Sequence, residues 1–178
     1  MINRILPDTR YKILTRQQLA VELHRRKLAG ERGVFTNGCF DLLHLGHVRY
    51  LQEARNLGDF LVLALNSDES VRQLKGAGRP LVPEMERAEI LAALACIDYV
   101  TIFPEATASA LLQLLQPAIY VKGGDYAGAQ DTTPDSSRLP EAAVVQAYGG
   151  AVRLIPYVPQ HSTTELIVAI KRLPDRSL

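Results

Sequence analysis

Continuous apolar runs alternate along the chain with segments of helical periodicity. An apolar run of about four to eight residues between polar turns is typical of a strand that is buried on both faces. Such runs predict strands from Val34 onward and over Phe60–Leu65, Tyr99–Phe103, Ala118–Val121 and Val152–Ile155. The intervening segments carry apolar residues three or four positions apart, which predicts helices.

Capping residues set the limits of these helices. Thr15 is a typical N-cap for a helix that runs to about Leu28, with Leu19, Leu23 and Leu28 on its apolar side. The alternation of strands and helices predicts the α/β class, as a Rossmann-like, doubly wound parallel sheet of about five strands with helices on both faces. We expect one domain over residues 1–178, with an N-terminal helical lead-in over 1–31.

Composition and charge narrow the choice of partners. The 178 residues are 47% apolar and 22% charged, and the net charge of +1 gives no electrostatic reason to expect a nucleic acid or an anionic membrane surface. Cys39 and Cys96 lack metal-ligand spacing, and we expect both to be reduced. The chain shows neither a signal peptide nor an apolar run of membrane-spanning length, so we expect a cytoplasmic location.

One stretch, from Val34 to His47, combines a strand, a loop and a helix start. The apolar run is followed by Asn37-Gly38, a dipeptide that favours a turn. His44 and His47 then stand where a helical pattern begins. Ligands of open parallel sheets bind at the carboxyl ends of strands, and a helix start offers free N–H groups to an anion. This junction is therefore the leading candidate for a phosphate site.

Gly46 lies between the two histidines in sequence. A side chain there would sit between the imidazoles, whereas glycine lets a phosphate approach the backbone. Two imidazoles and oriented backbone N–H groups can stabilise the negative charge that develops on a phosphoryl group during its transfer. Two other interpretations stay open: polar residues at a helix start, or a metal pair. No third and fourth metal ligands are evident nearby.

Polar loops follow the second predicted strand. Asp68 could cap the next helix or hold a substrate group. Lys75 and Arg79 lie in a glycine-bearing connection, 73–80, that could close over phosphates or be a solvated surface loop. Arg87, in the second turn of a helix from Pro83, could face the site or solvent.

Two more motifs lie near the ends of the last predicted strands. The fourth strand leads into Lys122-Gly123-Gly124-Asp125-Tyr126, a second glycine-bearing loop. Ser162 and Glu165 have capping-box spacing for a C-terminal helix whose apolar residues are predicted to face the core: Leu166, Ile167, Ile170 and Leu173. The hydroxyls of Ser162-Thr163-Thr164 either only cap this helix or also seat a triphosphate tail.

The stretch from Asn37 to His47 closely resembles the His-x-Gly-His signature of the nucleotidyltransferase superfamily. The further set Asn66-Ser67-Asp68, Leu74-Lys75-Gly76, Arg79-Pro80, Val121–Tyr126 and Ser162–Thr164 resembles the heptose 1-phosphate adenylyltransferases of lipopolysaccharide precursor synthesis. Those enzymes occur alone or fused to a sugar kinase of the ribokinase type, and we expect only the transferase part here. His161 stands where the family more often has another residue, so the resemblance assigns it no role.

The resemblance implies attack of a sugar 1-phosphate oxygen on the α-phosphorus of ATP, giving an ADP-sugar and pyrophosphate, with Mg²⁺ entering with ATP. It implies catalytic roles for His44, His47 and Lys75. The implied nucleotide-binding residues are Thr36, Asn37, Gly38, Phe40, Asp41, Gly46, Gly123, Gly124, Ser162, Thr163 and Thr164. The implied substrate-binding residues are Asp68, Arg79, Arg87, Lys122 and Asp125. Asp41 and Asp68 would either order the pocket or coordinate through the Mg²⁺ that enters with ATP; no dedicated metal site of the protein is implied, and a homo-oligomer is left open.

Two alternative functions remain. Related families with the same histidine pair are cytidylyltransferases that act on a polyol phosphate such as glycerol 3-phosphate; the run from Lys122 to Tyr126 favours the heptose type by resemblance. The chain could also be a nucleotide-binding protein without turnover, although the presence of His44, His47 and Lys75 argues against that.

Overall fold

Five strands form the centre of the protein. The computed structural model describes residues 8–123, 139–156 and 161–173. Its strands are β1 (Gly33–Gly38), β2 (Phe60–Asn66), β3 (Tyr99–Phe103), β4 (Ile119–Gly123) and β5 (Ala151–Ile155). Each contains or overlaps an apolar run of the sequence, so the five predicted strands are confirmed.

The strands form one parallel sheet with the order β3-β2-β1-β4-β5. The chain runs outward from β1 to β3 and then returns to β4 on the other side of β1. The direction of winding therefore reverses between β1 and β4. In doubly wound sheets, the crevice at the carboxyl ends of two such strands is where ligands bind.

Helices cover both faces of the sheet. They are α1 (Arg16–Leu28), α2 (Leu45–Arg55), α3 (Asp68–Lys75), α4 (Glu84–Ala92), α5 (Ser109–Leu115), α6 (Glu141–Ala147) and α7 (Thr163–Lys171), and a 3-10 turn, Thr9–Lys12, precedes α1. Thr15 caps α1 as predicted, and its hydroxyl accepts a hydrogen bond from the Gln18 N–H at 3.2 Å. The predicted Rossmann-like architecture is confirmed.

Two buried apolar clusters lie on opposite faces of the sheet. Alternate residues along a strand point to opposite faces, so Phe35 packs with α1, α5 and α6, whereas Val34 packs with α2 and α4. Every residue of β2 is buried. This double coverage explains why the strands are uninterrupted apolar runs rather than alternating ones.

Three details differ from the sequence-based expectations. Leu28 is 77% exposed at the end of α1, so it lies off the buried face. Asn37 and Gly38 remain in β1, and the turn falls later, at Phe40, whose φ is +42°. No residue of α7 is buried within the described chain, and Ile170 and Leu173 are 57% and 69% exposed. The prediction that α7 faces the core is therefore wrong.

Within the described ranges, no helix is both long enough and apolar enough to cross a membrane.

Candidate active site

The two histidines of the central motif lie in the predicted crevice, beyond the end of β1. His44 is the N-cap of α2, with extended backbone (φ −141°), and His47 is in the first turn. Their rings stack with centroids 3.8 Å apart and planes inclined by 23°. The ring of Phe40 lies 5.1 Å from that of His47. The left-handed turn at Phe40 thus places an aromatic ring against the histidine pair.

Burial keeps both imidazoles neutral at pH 7. Burial, and to a smaller extent the neighbouring His44, together lower the pKa of His47 from 6.5 to about 4, against an opposing effect of the Leu42 backbone. Burial also lowers the pKa of His44, with His161 adding to the effect and Glu165 opposing it. The Nδ1 atoms of both rings are buried and have no hydrogen-bond partner in the part of the chain that the structure describes.

Gly46 is closely packed. A Cβ atom at this position would lie 3.0 Å from His44 Nδ1 and 3.1 Å from the Cβ of His161. The predicted contact with His44 is confirmed, and His161 is a further neighbour that the sequence did not indicate. The chain segment before α7 therefore packs directly against the start of α2, and the amino ends of two helices meet at the histidine pair.

The start of α7 carries the predicted hydroxyl run. Ser162 is its N-cap: its Oγ accepts from the Glu165 N–H at 3.1 Å and donates to Glu165 Oε2 at 2.9 Å. The capping interpretation of Ser162 is thus confirmed. Thr163 Oγ1 donates to the Leu42 carbonyl at 3.4 Å, which ties α7 to the loop before α2. Thr164 is exposed.

Asp41 anchors the loop that follows α3. Its carboxylate is buried; Oδ1 accepts from the backbone N–H groups of Leu81 at 2.8 Å and Val82 at 3.0 Å. Its Oδ2 lies 2.6 Å from Arg79 Nε. Asp41 and Arg79, which resemblance assigns to nucleotide and substrate, are thus engaged with each other. Together they tether the loop to the segment after β1.

Arg87 is fully buried beneath the crevice, so the alternative that it faces solvent is wrong. Its guanidinium donates to the carbonyls of Val82 at 2.8 Å, Cys39 at 2.5 Å and Asn66 at 3.1 Å, and to Asp68 Oδ1 at 2.7 Å. These acceptors belong to three separate chain segments, which follow β1, end β2 and precede α4. One side chain thus joins the loops that form one side of the crevice.

Asp68 does not cap α3. Ser67 is the N-cap, and its hydroxyl accepts from the Ser70 N–H at 3.2 Å. Asp68 is the first helical residue. Lys75 is the last residue of α3 and is exposed, and the glycine-bearing loop starts only at Gly76, whose φ is +95°. The helix therefore extends further into the predicted loop than the sequence indicated.

Polar contacts link the end of β1 to β4. Tyr120 OH donates to Asn37 Oδ1 at 2.9 Å, and Lys122 Nζ donates to the Asn37 carbonyl at 3.3 Å. Burial lowers the pKa of Lys122, against the opposing effect of Glu141. Gly123 ends β4, whereas Gly124 and Asp125 lie outside the described residues.

Thr36 and Gly38 are explained by packing within the motif. Thr36 is fully buried, and its hydroxyl lies 2.6 Å from that of Tyr50, which in turn donates to the Val121 carbonyl at 3.1 Å. A Cβ on Gly38 would lie 2.8 Å from the Phe40 ring. These two positions therefore fix the packing of Tyr50 and Phe40 beside the end of β1.

Known proteins are similar to this chain over most of its length. A model of the cytidylyltransferase-like family matches residues 35–167. The chain belongs to the cytidylyltransferase-like family. Two relatives named bifunctional protein HldE, from Geotalea uraniireducens and Pelobacter propionicus, are 53% and 55% identical over 165 and 160 residues. The alignments cover 93% and 90% of this chain but 32% and 31% of the relatives, so it spans about a third of their length.

Two solved structures are also similar. The lipopolysaccharide core biosynthesis protein from Thermoplasma volcanium is 27% identical, with a TM-score of 0.56, over 72% of this chain and 98% of that one. Pantothenate synthetase from Thermus thermophilus is 18% identical, with a TM-score of 0.55, over 83% of this chain and 62% of that one. The second likeness shows a shared fold alone.

Within this cytidylyltransferase-like site, sequence reasoning missed the position of His161 and the roles of Tyr50 and Tyr120. The only sequence signal for His161 was its place directly before the Ser-Thr-Thr run. In the described part of the chain, no three side chains among His, Cys, Asp and Glu form a group that could hold a metal ion.

Proposed function

We propose that the protein is an adenylyltransferase that transfers AMP from ATP to a heptose 1-phosphate, giving an ADP-sugar and pyrophosphate in lipopolysaccharide precursor synthesis. The observation that carries the proposal is the stacked, neutral histidine pair at the point where the sheet reverses its winding. The identity of 53% to a bifunctional HldE protein supports the heptose substrate, as does the likeness to a lipopolysaccharide core biosynthesis protein. A cytoplasmic location, where ATP is available, is part of the proposal.

The proposed chemistry needs positioning and charge stabilisation more than a base. The attacking sugar phosphate oxygen is already an anion, and the bond from the α-phosphorus to the bridging oxygen breaks with its electron pair leaving on pyrophosphate. His44 and His47 each carry one N–H when neutral and would donate it to the α-phosphoryl oxygens. The open amino end of α2 adds backbone N–H groups aimed at the same charge.

Other groups would hold the two substrates on either side of this centre. Ser162, Thr163 and Thr164 at the start of α7 would bind the β- and γ-phosphates, and exposed Lys75 would neutralise them from the end of α3. Lys122, at the end of β4, lies on the opposite side of β1 from α3, where it would meet the sugar phosphate. The remaining proposed nucleotide contacts are Asn37, Gly38, Phe40, Gly46, Gly123 and Gly124, with Asp125 on the sugar.

Asp41, Asp68, Arg79 and Arg87 would act mainly by positioning. Each carboxylate is paired with an arginine, Asp41 with Arg79 at 2.6 Å and Asp68 with Arg87 at 2.7 Å. Neither carboxylate therefore fits a role as a dedicated Mg²⁺ ligand. Mg²⁺ prefers phosphate oxygens and water, and it would enter with ATP and reduce the negative charge of the triphosphate.

The test of this function is substrate choice. Pyrophosphate release is measured with ATP and CTP, each with D-glycero-β-D-manno-heptose 1-phosphate and with glycerol 3-phosphate. Backbone groups beside Gly123 would read the adenine edge, and each polar group left unpaired by cytosine costs about 1–3 kcal/mol. Two such groups predict that kcat/KM for ATP exceeds that for CTP by about 30-fold to about 20,000-fold, on the scale of about 1.4 kcal/mol per factor of ten.

The outcomes separate the three candidate functions. Equal or better use of CTP would replace the adenylyl assignment with the cytidylyltransferase alternative. Binding of ATP without pyrophosphate release from any pair would indicate a nucleotide-binding protein. In the active case, His47→Ala is expected to lower turnover by roughly 10²–10³-fold, the scale for losing one donor to the transition state.

A further inference from the structure

His161 lies beside Gly46, at the start of α2, although its position in the sequence gave it no role. Its Cβ would be 3.1 Å from a Cβ added to Gly46, while His44 Nδ1 would be 3.0 Å from that same atom. His161 and His44 are therefore both close neighbours of Gly46. His161 also lowers the pKa of His44 electrostatically, an effect second only to that of burial.

His161 also adjoins the hydroxyl run. It directly precedes Ser162, the N-cap of α7, and the next residue, Thr163, contacts the Leu42 carbonyl. The proposed route of the triphosphate runs from the histidine pair, at the α-phosphate, to these hydroxyls, at the β- and γ-phosphates. His161 stands between the two groups and is partly exposed.

We propose that the imidazole of His161 is a third histidine of the site and donates a hydrogen bond to the β-phosphate of ATP and then to the departing pyrophosphate. This inference rests on the proposed nucleotidyl transfer and adds a leaving-group contact to it. No proton is transferred in this step: the bond between the α-phosphorus and the bridging oxygen breaks, and pyrophosphate leaves with the electron pair. The imidazole only stabilises the negative charge that builds up on that oxygen.

The proposal distinguishes ligands that have a β-phosphate from those that lack one. A hydrogen bond to a charged group is stronger than one between neutral groups, and its loss is expected to weaken binding by roughly tenfold to a hundredfold. His161→Leu should weaken the binding of pyrophosphate and of ATP by this factor and leave the affinity for AMP unchanged. His161→Gln, which retains an N–H donor, should recover part of the affinity.

The experiment is calorimetric titration of the full chain with pyrophosphate, ATP and AMP, each with Mg²⁺, alongside steady-state kinetics. His24→Leu is the matched control, because His24 is exposed on α1, away from the crevice. Thermal denaturation of each variant checks that the fold persists. In kinetics, His161→Leu should raise KM for ATP and lower kcat, whereas His24→Leu should change neither.

The outcomes separate this inference from the function on which it rests. If His161→Leu weakened the binding of AMP and of pyrophosphate equally, His161 would have a structural role and the inference would be overturned. Unchanged affinities for all three ligands would also overturn it. If the unmodified protein bound neither ATP nor pyrophosphate, the proposed function itself would fail. If the wild-type protein turned over and His161→Leu had the same kinetics and affinities, the proposed function would stand and only the leaving-group contact would be refuted.

Discussion

Replacement of Arg87 tests whether one buried side chain holds the crevice together. Its guanidinium donates to three backbone carbonyls and one carboxylate on segments far apart in sequence. Arg87→Met fills similar volume but leaves all four acceptors without their donor. The Arg87 side chain is fully buried, whereas Asp68 is 26% exposed, so water can reach the carboxylate but not readily the carbonyls.

The expected loss of stability follows from this inventory. Breaking a buried charge pair by removing one partner costs about 3–5 kcal/mol, and the four lost bonds at about 1 kcal/mol each give a similar figure. For a domain of this size, each kcal/mol lowers Tm by about 2–4 °C, so Arg87→Met should melt roughly 6–20 °C lower. Arg87→Lys keeps the charge but cannot reach four acceptors from one nitrogen, and should lose about half as much.

The assay is urea denaturation, in which an m-value equal to that of the wild type shows that the midpoint reports stability, and calorimetry gives Tm. Arg153→Met is the matched control, because Arg153 is exposed on β5 and donates to the carbonyl of the adjacent Val152, which ties no distant segments together. It should stay within about 0.5 kcal/mol of wild type. If Arg87→Met fails to fold, Arg87→Lys still reports the loss. A change below about 1 kcal/mol in either Arg87 variant would refute the anchoring role.

Three further predictions concern the site itself. Gly46→Ala should lower kcat/KM by about 10–100-fold with the fold retained, because its Cβ would displace the His44 ring; unchanged kinetics would contradict the close-packing argument. Lys75→Ala should lower kcat/KM but alter stability by less than about 1 kcal/mol, like the control Lys27→Ala in the last turn of α1; a large stability loss with full activity would show a structural role. The pKa of His47 is lowered from 6.5 to about 4 in the folded protein, so the unfolded chain binds more protons between these two pH values. As the pH falls through this window, the free energy of unfolding should decrease by at most about 3 kcal/mol. His47→Asn should remove this decrease, and an identical pH profile in that variant would exclude the contribution of His47.

The layout of strands and helices was predictable because local patterns determine it. Double burial makes β2 an unbroken apolar run, and the hydroxyls of Thr15 and Ser162 cap helices where their side chains suggested. The carboxyl-end rule then placed the histidine pair in the crevice before any contact was known. The exposure of α7 could not be predicted in this way, because periodicity shows which residues share a face but not what covers that face.

The contacts that build the site could not be read from local patterns. The Arg87 donors reach Cys39 across 48 positions, and Thr163 reaches the Leu42 carbonyl across 121. Asn37-Gly38 is a strong turn signal, yet pairing with β2 keeps β1 extended through both residues, and the left-handed residue is Phe40. Such outcomes depend on which segments the fold brings together, and local sequence patterns do not show that.

The arrangement of charge bears on how a chain with a net charge of +1 would bind the triphosphate of the proposed reaction. Arg79 and Arg87 are paired with carboxylates, so they add little net positive charge to the crevice. The two central imidazoles are neutral, and the amino ends of α2 and α7 supply backbone N–H groups. Fixed dipoles of this kind stabilise charge that develops in the transition state without reorganising, whereas a mobile cation would bind the ground state about as well. Held rigidly by Asp41 and Arg87, such a site would favour the reacting phosphoryl group over the bound nucleotide.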